Sequence, residues 1–238
     1  MKKNVKFKTL INKIKILAIK LLLVFLVISF LQVVSLKWID PPTSSVMLQR
    51  EFNLFSSNEK PISYEWYNYD DISKEIVLAV IASEDQNFPA HFGFDLEQID
   101  KAFKEKNKRG RLRGASTITQ QVAKNLFLWE GKSFIRKGFE AYYTILIEFF
   151  WSKRRIIEIY VNIAEMGDNI FGVGSASKIF YNKNPKKLKQ GESALLAAVL
   201  PNPKKYSVKN PSVYVRKRQF WILEQMQLLG GIQYIKNL

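Results

Sequence analysis

The strongest constraint in this sequence is an almost unbroken apolar run, LLLVFLVISFLQVVSL, at residues 21–36. A helix needs about 20 such residues to cross a hydrocarbon core. Residues 16–19 extend the run if the Lys20 side chain reaches back to the interface. We therefore predict one transmembrane helix over residues 16–38, with Trp38 at its far boundary.

A cleaved signal peptide has the same basic start and apolar centre, and it is the alternative to a permanent anchor. The residues after the run argue against it, because Leu36, Lys37 and Trp38 stand where a cleavage site needs small residues. Residues 1–20 carry seven lysines and no acid, and such a basic flank stays in the cytoplasm. Residues 1–15 are therefore predicted as a cytoplasmic basic tail, and the chain beyond residue 38 as external.

Composition narrows the chemistry that an external domain could use. The 238 residues are 47% hydrophobic, which is enough for one packed domain, and the formal charge is +16. Such a charge favours a polyanionic partner, and outside the cytoplasm anionic lipid fits better than nucleic acid. Cysteine is absent, which excludes disulfides, thiolate metal sites and a cysteine nucleophile. His91 is the single histidine, so a histidine-rich metal site is excluded as well.

Beyond the apolar run the sequence predicts a linker and one helical domain. Residues 39–60 are rich in proline, serine and asparagine, which predicts a juxtamembrane linker with turns. The folded domain is predicted over residues 61–238. One short strand is predicted at 63–69, and apolar residues recur at helical spacing through most of the remainder. Helices are predicted at 73–85, 116–128, 133–151, 153–165, 174–180, 192–200 and 212–229, so the fold class is mainly α.

Two adjacent carboxylates, Glu84 and Asp85, end an apolar helix in the stretch IASEDQNFPAHFGFD at residues 81–95. A glutamate at the edge of an apolar face suits proton transfer, because partial burial tunes its proton affinity. Solvated carboxylates at a helix end are the alternative, and the spacing does not separate the two. His91 by itself is interpreted as a structural hydrogen-bonding residue rather than a base.

A second stretch, RGRLRGASTITQQVAKNLFL at residues 109–128, joins a basic glycine-containing loop to a helix with small polar residues at its start. A helix N-terminus with nearby lysine and arginine side chains suits phosphate oxygens. An ordinary capped amphipathic helix, with Gln120 and Gln121 exposed, is the alternative that spacing alone slightly favours.

In the following helix, Arg136 and Lys137 lie one turn before Glu140, so all three side chains can share one face. A surface ion pair and a carboxylate held in place by cations both fit this spacing. The sequence does not separate these interpretations without a wider pattern.

The order of four motifs supplies that pattern and resembles a known family. EDQNF with H.G at 84–93, GASTITQQ at 114–121, RKGFE at 136–140 and RRIIEIYVN at 154–162 occur in the order and at the intervals of the peptidoglycan glycosyltransferases. The resemblance covers residues 60–225 and implies a lysozyme-like, mainly helical domain with a smaller membrane-facing lobe. Members of this family polymerise lipid II into glycan strands at the bacterial cytoplasmic (inner) membrane. Because 238 residues leave no room for a penicillin-binding domain, a monofunctional enzyme without transpeptidase activity is expected.

The resemblance also assigns roles to residues. Glu84 matches the general base, which takes the proton from the 4-hydroxyl of the acceptor N-acetylglucosamine, and Glu140 matches a second, positioning carboxylate. The attack inverts the anomeric carbon of the donor, forms a β-1,4 linkage and releases undecaprenyl pyrophosphate. The predicted substrate-binding residues are Ser116, Gln120, Gln121, Lys124, Lys132, Arg136 and Lys137. The predicted structural supports of the site are Asp85, Phe88, His91, Gly93 and Asn125.

Expectations about cofactors and partners follow from the same resemblance. No organic cofactor is expected; Mg2+ or Mn2+ assists some family members, although no metal cluster is legible in this sequence. The expected partners are lipid II, the growing glycan strand, anionic membrane lipid and other proteins of cell-wall synthesis or division, with no nucleic acid. The basic segment 101–113 is interpreted either as a solvated face or as a flexible flap over the donor site.

Two other functions fit parts of the sequence. A lytic transglycosylase or another lysozyme-like hydrolase would share the fold and one catalytic glutamate, but it does not explain the TITQQ and RKGFE motifs or the excess of cations. A non-catalytic module that binds anionic lipid or glycan through its basic surface would explain the charge, but it would not need both Glu84 and Glu140.

Overall fold

A computed structural model describes residues 2–54, 61–109, 116–131 and 133–238. The chain divides into two compact units, one ending at Ile39 and one running from Asp40 to Leu238. The α-helices of the described residues are α1 (Lys2–Ser35), α2 (Ser45–Leu54), α3 (Lys74–Glu84), α4 (Leu96–Arg109), α5 (Ile118–Phe127), α6 (Phe134–Phe150), α7 (Lys153–Ile163), α8 (Gly172–Tyr181), α9 (Gln190–Val199) and α10 (Val213–Leu228). The strands are β1 (Ser63–Tyr64), β2 (Glu165–Gly167) and β3 (Ile170–Phe171), and short 3-10 helices lie at Tyr69–Asp71, Pro185–Lys187 and Gly231–Ile235. The prediction of a mainly α fold is confirmed.

The first unit is the single long helix α1. Its segment Leu10–Ser35 is long and apolar enough to cross a membrane, by length and composition. The helix ends three residues before the predicted boundary at residue 38, because the chain turns after Ser35 and the amide of Trp38 bonds the carbonyl of that serine at 3.1 Å. The helix fits the predicted membrane anchor.

The second unit begins earlier than the predicted domain start at residue 61. Within the predicted linker 39–60, residues 45–54 form helix α2, and α2 packs against α5. The Gln49 side chain donates to the carbonyl of Leu128 at 3.1 Å, and its oxygen accepts from the amide of Glu130 at 2.9 Å. Contacts made so far along the chain leave no local signal in the sequence, which is why this segment resembled a linker.

The centre of the second unit is helix α3, which is apolar on every side and is therefore buried on every side. Residues Ile76–Ala82 are fully buried, and α3 packs against α7, α9 and α10. Ser73 caps the helix as predicted, accepting from the amide of Glu75. Because α3 is surrounded, its C-terminal carboxylates stand at a fixed place at the edge of the core.

A small sheet lies beside this core, with the strand order β1-β3-β2. Strand β1 pairs in parallel with β3, and β2 pairs with β3 in the antiparallel sense. The predicted strand at 63–69 ends at Tyr64. Beyond it, the Asn162 side chain bonds both the amide and the carbonyl of Tyr67, at 2.9 and 2.8 Å, and so takes the place of a neighbouring strand.

The basic segment 101–113 is helical where it is described, because α4 continues to Arg109; residues 110–113 lie outside the described part. Asp95 accepts from the amide of Gln98 at 2.9 Å, and ion pairs at i, i+4 spacing join Lys101 to Glu97 and Lys104 to Asp100. The prediction of a loop is therefore wrong for residues 101–109, where the charges support a helix.

Candidate active site

Glu84 is the last residue of α3, and it projects from the core into a cavity of about 550 Å³ that we call the base cavity. Its carboxylate accepts from the Gln121 amide at 3.1 Å and lies 3.4 Å from a guanidinium nitrogen of Arg218. Other walls of the cavity come from Ser116 and Trp221. The glutamate is half-buried, so it reaches the cavity while the protein fixes its orientation.

Behind Glu84 a hydrogen-bonded chain holds Gln121 in place. The Tyr160 hydroxyl donates to Gln121 Oε1 at 3.1 Å, and Gln121 Nε2 donates to Glu84 Oε2. Burial raises the pKa of the Tyr160 hydroxyl well above its ordinary value, and the charges of Glu84 and Asp85 act in the same direction. The hydroxyl therefore remains a proton donor, and the Gln121 amide must present its nitrogen to the glutamate.

Asp85 joins three elements at the base of the cavity. Its carboxylate accepts from His91 Nε2 at 2.9 Å and from the amide of Ile118 at 2.9 Å. Ile118 is the first residue of α5, so this contact adds a negative charge to a helix N-terminus. Phe88 is fully buried and lies edge-on to the His91 ring, with centroids 6.3 Å apart. This geometry suits a structural rather than a proton-transferring histidine.

Gly93 is placed where no other residue fits without strain. Its φ is +76°, and a Cβ there would lie 2.7 Å from the Thr144 methyl carbon of α6. The Gly93 carbonyl also accepts from the Thr117 hydroxyl at 2.7 Å. The bend after α3 is thus packed directly against α6 and bonded to the start of α5.

The second carboxylate, Glu140, is buried among cations on α6. Arg136 donates to it at 2.9 Å, and Lys137 forms an ion pair with its other oxygen. The ammonium of Lys137 also donates to the Ser116 hydroxyl at 3.3 Å. Glu140 therefore orients both cations, which the i, i+4 and i, i+3 spacing allowed but did not require.

Lys124 and Arg136 line another cavity of about 570 Å³, the cation cavity, together with Asn125. Burial lowers the pKa of Lys124, and the nearby positive charges of Arg136 and Lys137 act in the same direction, opposed by Glu140. Gln121 lines both the cation cavity and the base cavity. A carboxylate and a group of cations thus face two sides of one amide.

Not every predicted residue reaches these cavities. Gln120 is buried in a capping box: its side chain accepts from the amide of Thr117, whose hydroxyl accepts from the amide of Gln120. Its side chain therefore caps α5 and lines neither cavity, unlike that of its neighbour Gln121. Lys132 lies outside the described residues.

Sequence reasoning missed two residues of the site. Tyr160 is part of the RRIIEIYVN motif, and its place inside that motif was the available signal. Arg218 follows 134 positions after Glu84, and nothing around it in the sequence pointed to the site. Its donor nitrogens make only long contacts, at 3.4 Å to Glu84 and 3.5 Å to the carbonyl of Ser83.

In the described ranges, no group of three or more histidine, aspartate or glutamate side chains is arranged to hold a metal ion. The carboxylates of the site are already engaged: Glu140 by Arg136 and Lys137, and Asp85 by His91. The described residues therefore do not fit a resident divalent cation, and the mechanism below is derived without one.

A helical domain that sets one carboxylate opposite a group of cations suits a glycosyl-transferring enzyme, because such chemistry moves a proton on one side and stabilises a leaving anion on the other. The sequence profile of the Transglycosylase family matches residues 51–227. The biosynthetic peptidoglycan transglycosylase of Xanthomonas campestris pv. campestris (strain B100) is 49% identical over 210 residues, which cover 87% of this chain and 85% of that protein. The protein of the same name from Xylella fastidiosa (strain 9a5c) is 46% identical over 209 residues, with coverage of 87% and 86%.

The chain therefore belongs to the transglycosylase family. Its enzyme class is peptidoglycan glycosyltransferase, and its fold class is lysozyme-like. The resemblance carried by the four motifs is confirmed.

Proposed function

We propose that this glycosyltransferase elongates glycan strands from lipid II by one inverting displacement, with release of undecaprenyl pyrophosphate. The observation that carries the proposal is the pair of cavities that meet at Gln121, one presenting Glu84 and the other presenting Lys124 and Arg136. An acceptor hydroxyl in the base cavity and a donor diphosphate in the cation cavity would place the reacting carbon between them.

Glu84 is the general base in this scheme. It takes the proton of the acceptor 4-hydroxyl, and the oxygen attacks the donor's anomeric carbon from the face opposite the leaving group, forming a β-1,4 linkage. Gln121 holds the carboxylate at 3.1 Å, which keeps a lone pair directed at the cavity. A positioned base of this kind contributes about 10²-fold to 10⁴-fold in rate.

The cations act on the leaving group. Negative charge grows on the diphosphate as the glycosidic bond breaks, and fixed cations stabilise the transition state most where they meet that charge. Lys124 and Arg136 are fixed by burial and by Glu140, so they need little rearrangement. Lys137 and Ser116 extend the same surface, and Lys132 is assigned to it by family resemblance.

The catalytic unit is also proposed to touch the membrane that carries its substrate. Large apolar side chains are exposed on and just before α4 and on α6, among them Phe92, Leu96, Phe134, Ile135 and Phe149; Phe134 is 98% exposed. Exposed apolar residues of this size mark an interaction surface. With α1 as anchor and its lysine-rich end in the cytoplasm, the catalytic unit would face the external side of the bacterial cytoplasmic membrane.

The decisive experiment supplies labelled lipid II to the detergent-purified protein and compares the wild type with Glu84→Gln. We expect polymer from the wild type and at least 100-fold less from the variant, because the amide keeps the shape but cannot take the proton. Glu224→Gln, on an exposed position of α10, is the matched control and should polymerise normally.

Each other outcome has a defined meaning. Equal polymer from wild type and Glu84→Gln would keep the polymerase and remove Glu84 as its base. Cleavage of preformed glycan without release of undecaprenyl pyrophosphate would identify a lytic enzyme. Binding of lipid II by a folded protein that makes no polymer would identify a non-catalytic module.

A further inference from the structure

A groove continues away from the cation cavity on the side opposite the base. Pro203 lines both the cation cavity and a neighbouring cavity of about 540 Å³. Strand β2 runs along both, with Glu165 in the first and Gly167 in the second. Two residues of extended chain span about 7 Å, so the second cavity begins within about one sugar ring of the first.

The second cavity has an apolar floor and a basic rim. Ile170, Ile179 and Phe180 form much of the floor, while Lys204, Lys205 and Lys209 stand exposed along the edge. In the part of the chain that is described, none of these three ammonium groups forms an ion pair. We call this surface the strand groove and define it by those six residues.

The strand groove does not stop at the second cavity. Ile179, Phe180 and Lys209 also line a further cavity of about 640 Å³, to which Arg216 adds another cation. Together the cavities form a continuous course that leads away from the reacting centre and bears cations along its edge.

We propose that the strand groove holds the growing glycan strand beyond its reacting sugar, while the diphosphate end of that strand occupies the cation cavity. This inference rests on the proposed function. The cation cavity borders the base cavity at Gln121 and the strand groove at Pro203. Because the acceptor must lie beside Glu84, the remainder of the donor has to leave past Pro203.

The chemistry of the groove suits such a strand. Sugar rings present apolar C–H faces that can lie on Ile179 and Phe180, and stem peptides present carboxylates that can pair with the lysines. Each exposed pair is worth little, about twofold in affinity. Several weak contacts in a row hold a polymer through their number while each contact remains easy to break, so the strand can advance after every transfer.

Anionic lipid is the other partner that exposed lysines could take. The structure favours the strand, because the rim continues directly from the cavity that would hold the donor's diphosphate. Lys204 lies close enough to act on Glu165 of that cavity, where its charge lowers the glutamate's pKa against a larger increase caused by burial.

The test replaces Lys204, Lys205 and Lys209 together by glutamine in the full-length protein, assayed with lipid II in neutral detergent. We expect lipid II to be consumed at an initial rate within about twofold of the wild type, while the mean strand length falls several-fold. A matched triple variant, with glutamine at the exposed Lys187, Lys217 and Lys236, carries the same charge change outside the groove and should make strands of normal length.

A second measurement does not depend on turnover. Binding of a preformed, lipid-free glycan strand with its stem peptides should weaken about tenfold in the groove variant, from three contacts of about twofold each, and should stay unchanged in the control. Unchanged strand length and binding would overturn the proposal. So would equal shortening in both variants, or shortening confined to vesicles of anionic lipid, which would assign the rim to the membrane. A wild type that makes no polymer would instead refute the proposed function.

Discussion

At the scale of single residues, Lys124 shows how function and stability oppose each other in this site. Its ammonium lies half-buried beside Arg136 and Lys137, and burial lowers its pKa. The folded protein therefore disfavours the charged form that the diphosphate requires. The charge is retained because a leaving anion benefits from a cation that is already in place.

Replacing Lys124 by methionine should separate these two effects. We expect polymerisation to fall about 10²-fold to 10³-fold, as when one fixed donor to a developing charge is lost. The free energy of unfolding should rise by about 0.5 to 2 kcal/mol at neutral pH, as active-site replacements of this kind commonly do. Denaturant unfolding and the lipid II assay measure the two.

The pH dependence of that stabilisation has a defined sign. A lysine whose pKa is lowered on folding costs stability below the lowered pKa, and the cost disappears above its ordinary value of about 10.4. The advantage of Lys124→Met should therefore shrink as the pH rises toward that value. Lys217→Met, on an exposed position of α10, should change neither property. A loss of stability in Lys124→Met would show that the lysine supports the fold instead.

At the scale of elements, the site depends on how the end of α3 meets α5 and α6. Asp85 bonds the first amide of α5, and Gly93 lies against Thr144 of α6. These contacts set the distance between Glu84 and the cations, so a disturbance at the bend should reach the chemistry.

Gly93→Ala is expected to destabilise the protein by about 1 to 3 kcal/mol, because a positive φ and a 2.7 Å clash are both imposed on the new side chain. Gly138→Ala is the matched control: that glycine lies within α6 with open space around it, and alanine should stabilise the helix by up to about 1 kcal/mol. Urea unfolding of the two variants gives the comparison. Equal stability of both would mean that the bend relaxes freely.

At the scale of the whole molecule, the chain consists of an apolar helix and a catalytic unit with its own core. We predict that residues 40–238 fold alone and bind vesicles about tenfold or more weaker than the full chain, since they lose the spanning helix but keep the exposed apolar groups of α4 and α6. Vesicle sedimentation measures the binding, and urea unfolding checks the fold. Binding as tight as that of the full chain would show that α1 is not the main anchor.

The sequence alone determined the family and most of the helices, because motif order and apolar periodicity are properties of the chain itself. It also indicated Glu84, and it allowed the arrangement of Arg136, Lys137 and Glu140, whose spacing along one helix limits how they can meet. Where contacts are distant along the chain, it was silent: α2 resembled a linker, and Arg218 carried no local signal.

Gln120 and Gln121 show what only the tertiary structure decided. They are neighbours in one motif and were both predicted to bind substrate, yet successive side chains on a helix point about 100° apart. One closes the capping box of α5, and the other joins Tyr160 to Glu84. A sequence fixes the chemistry of each side chain, but packing of α5 between α6 and α7 decides which one faces the cavity.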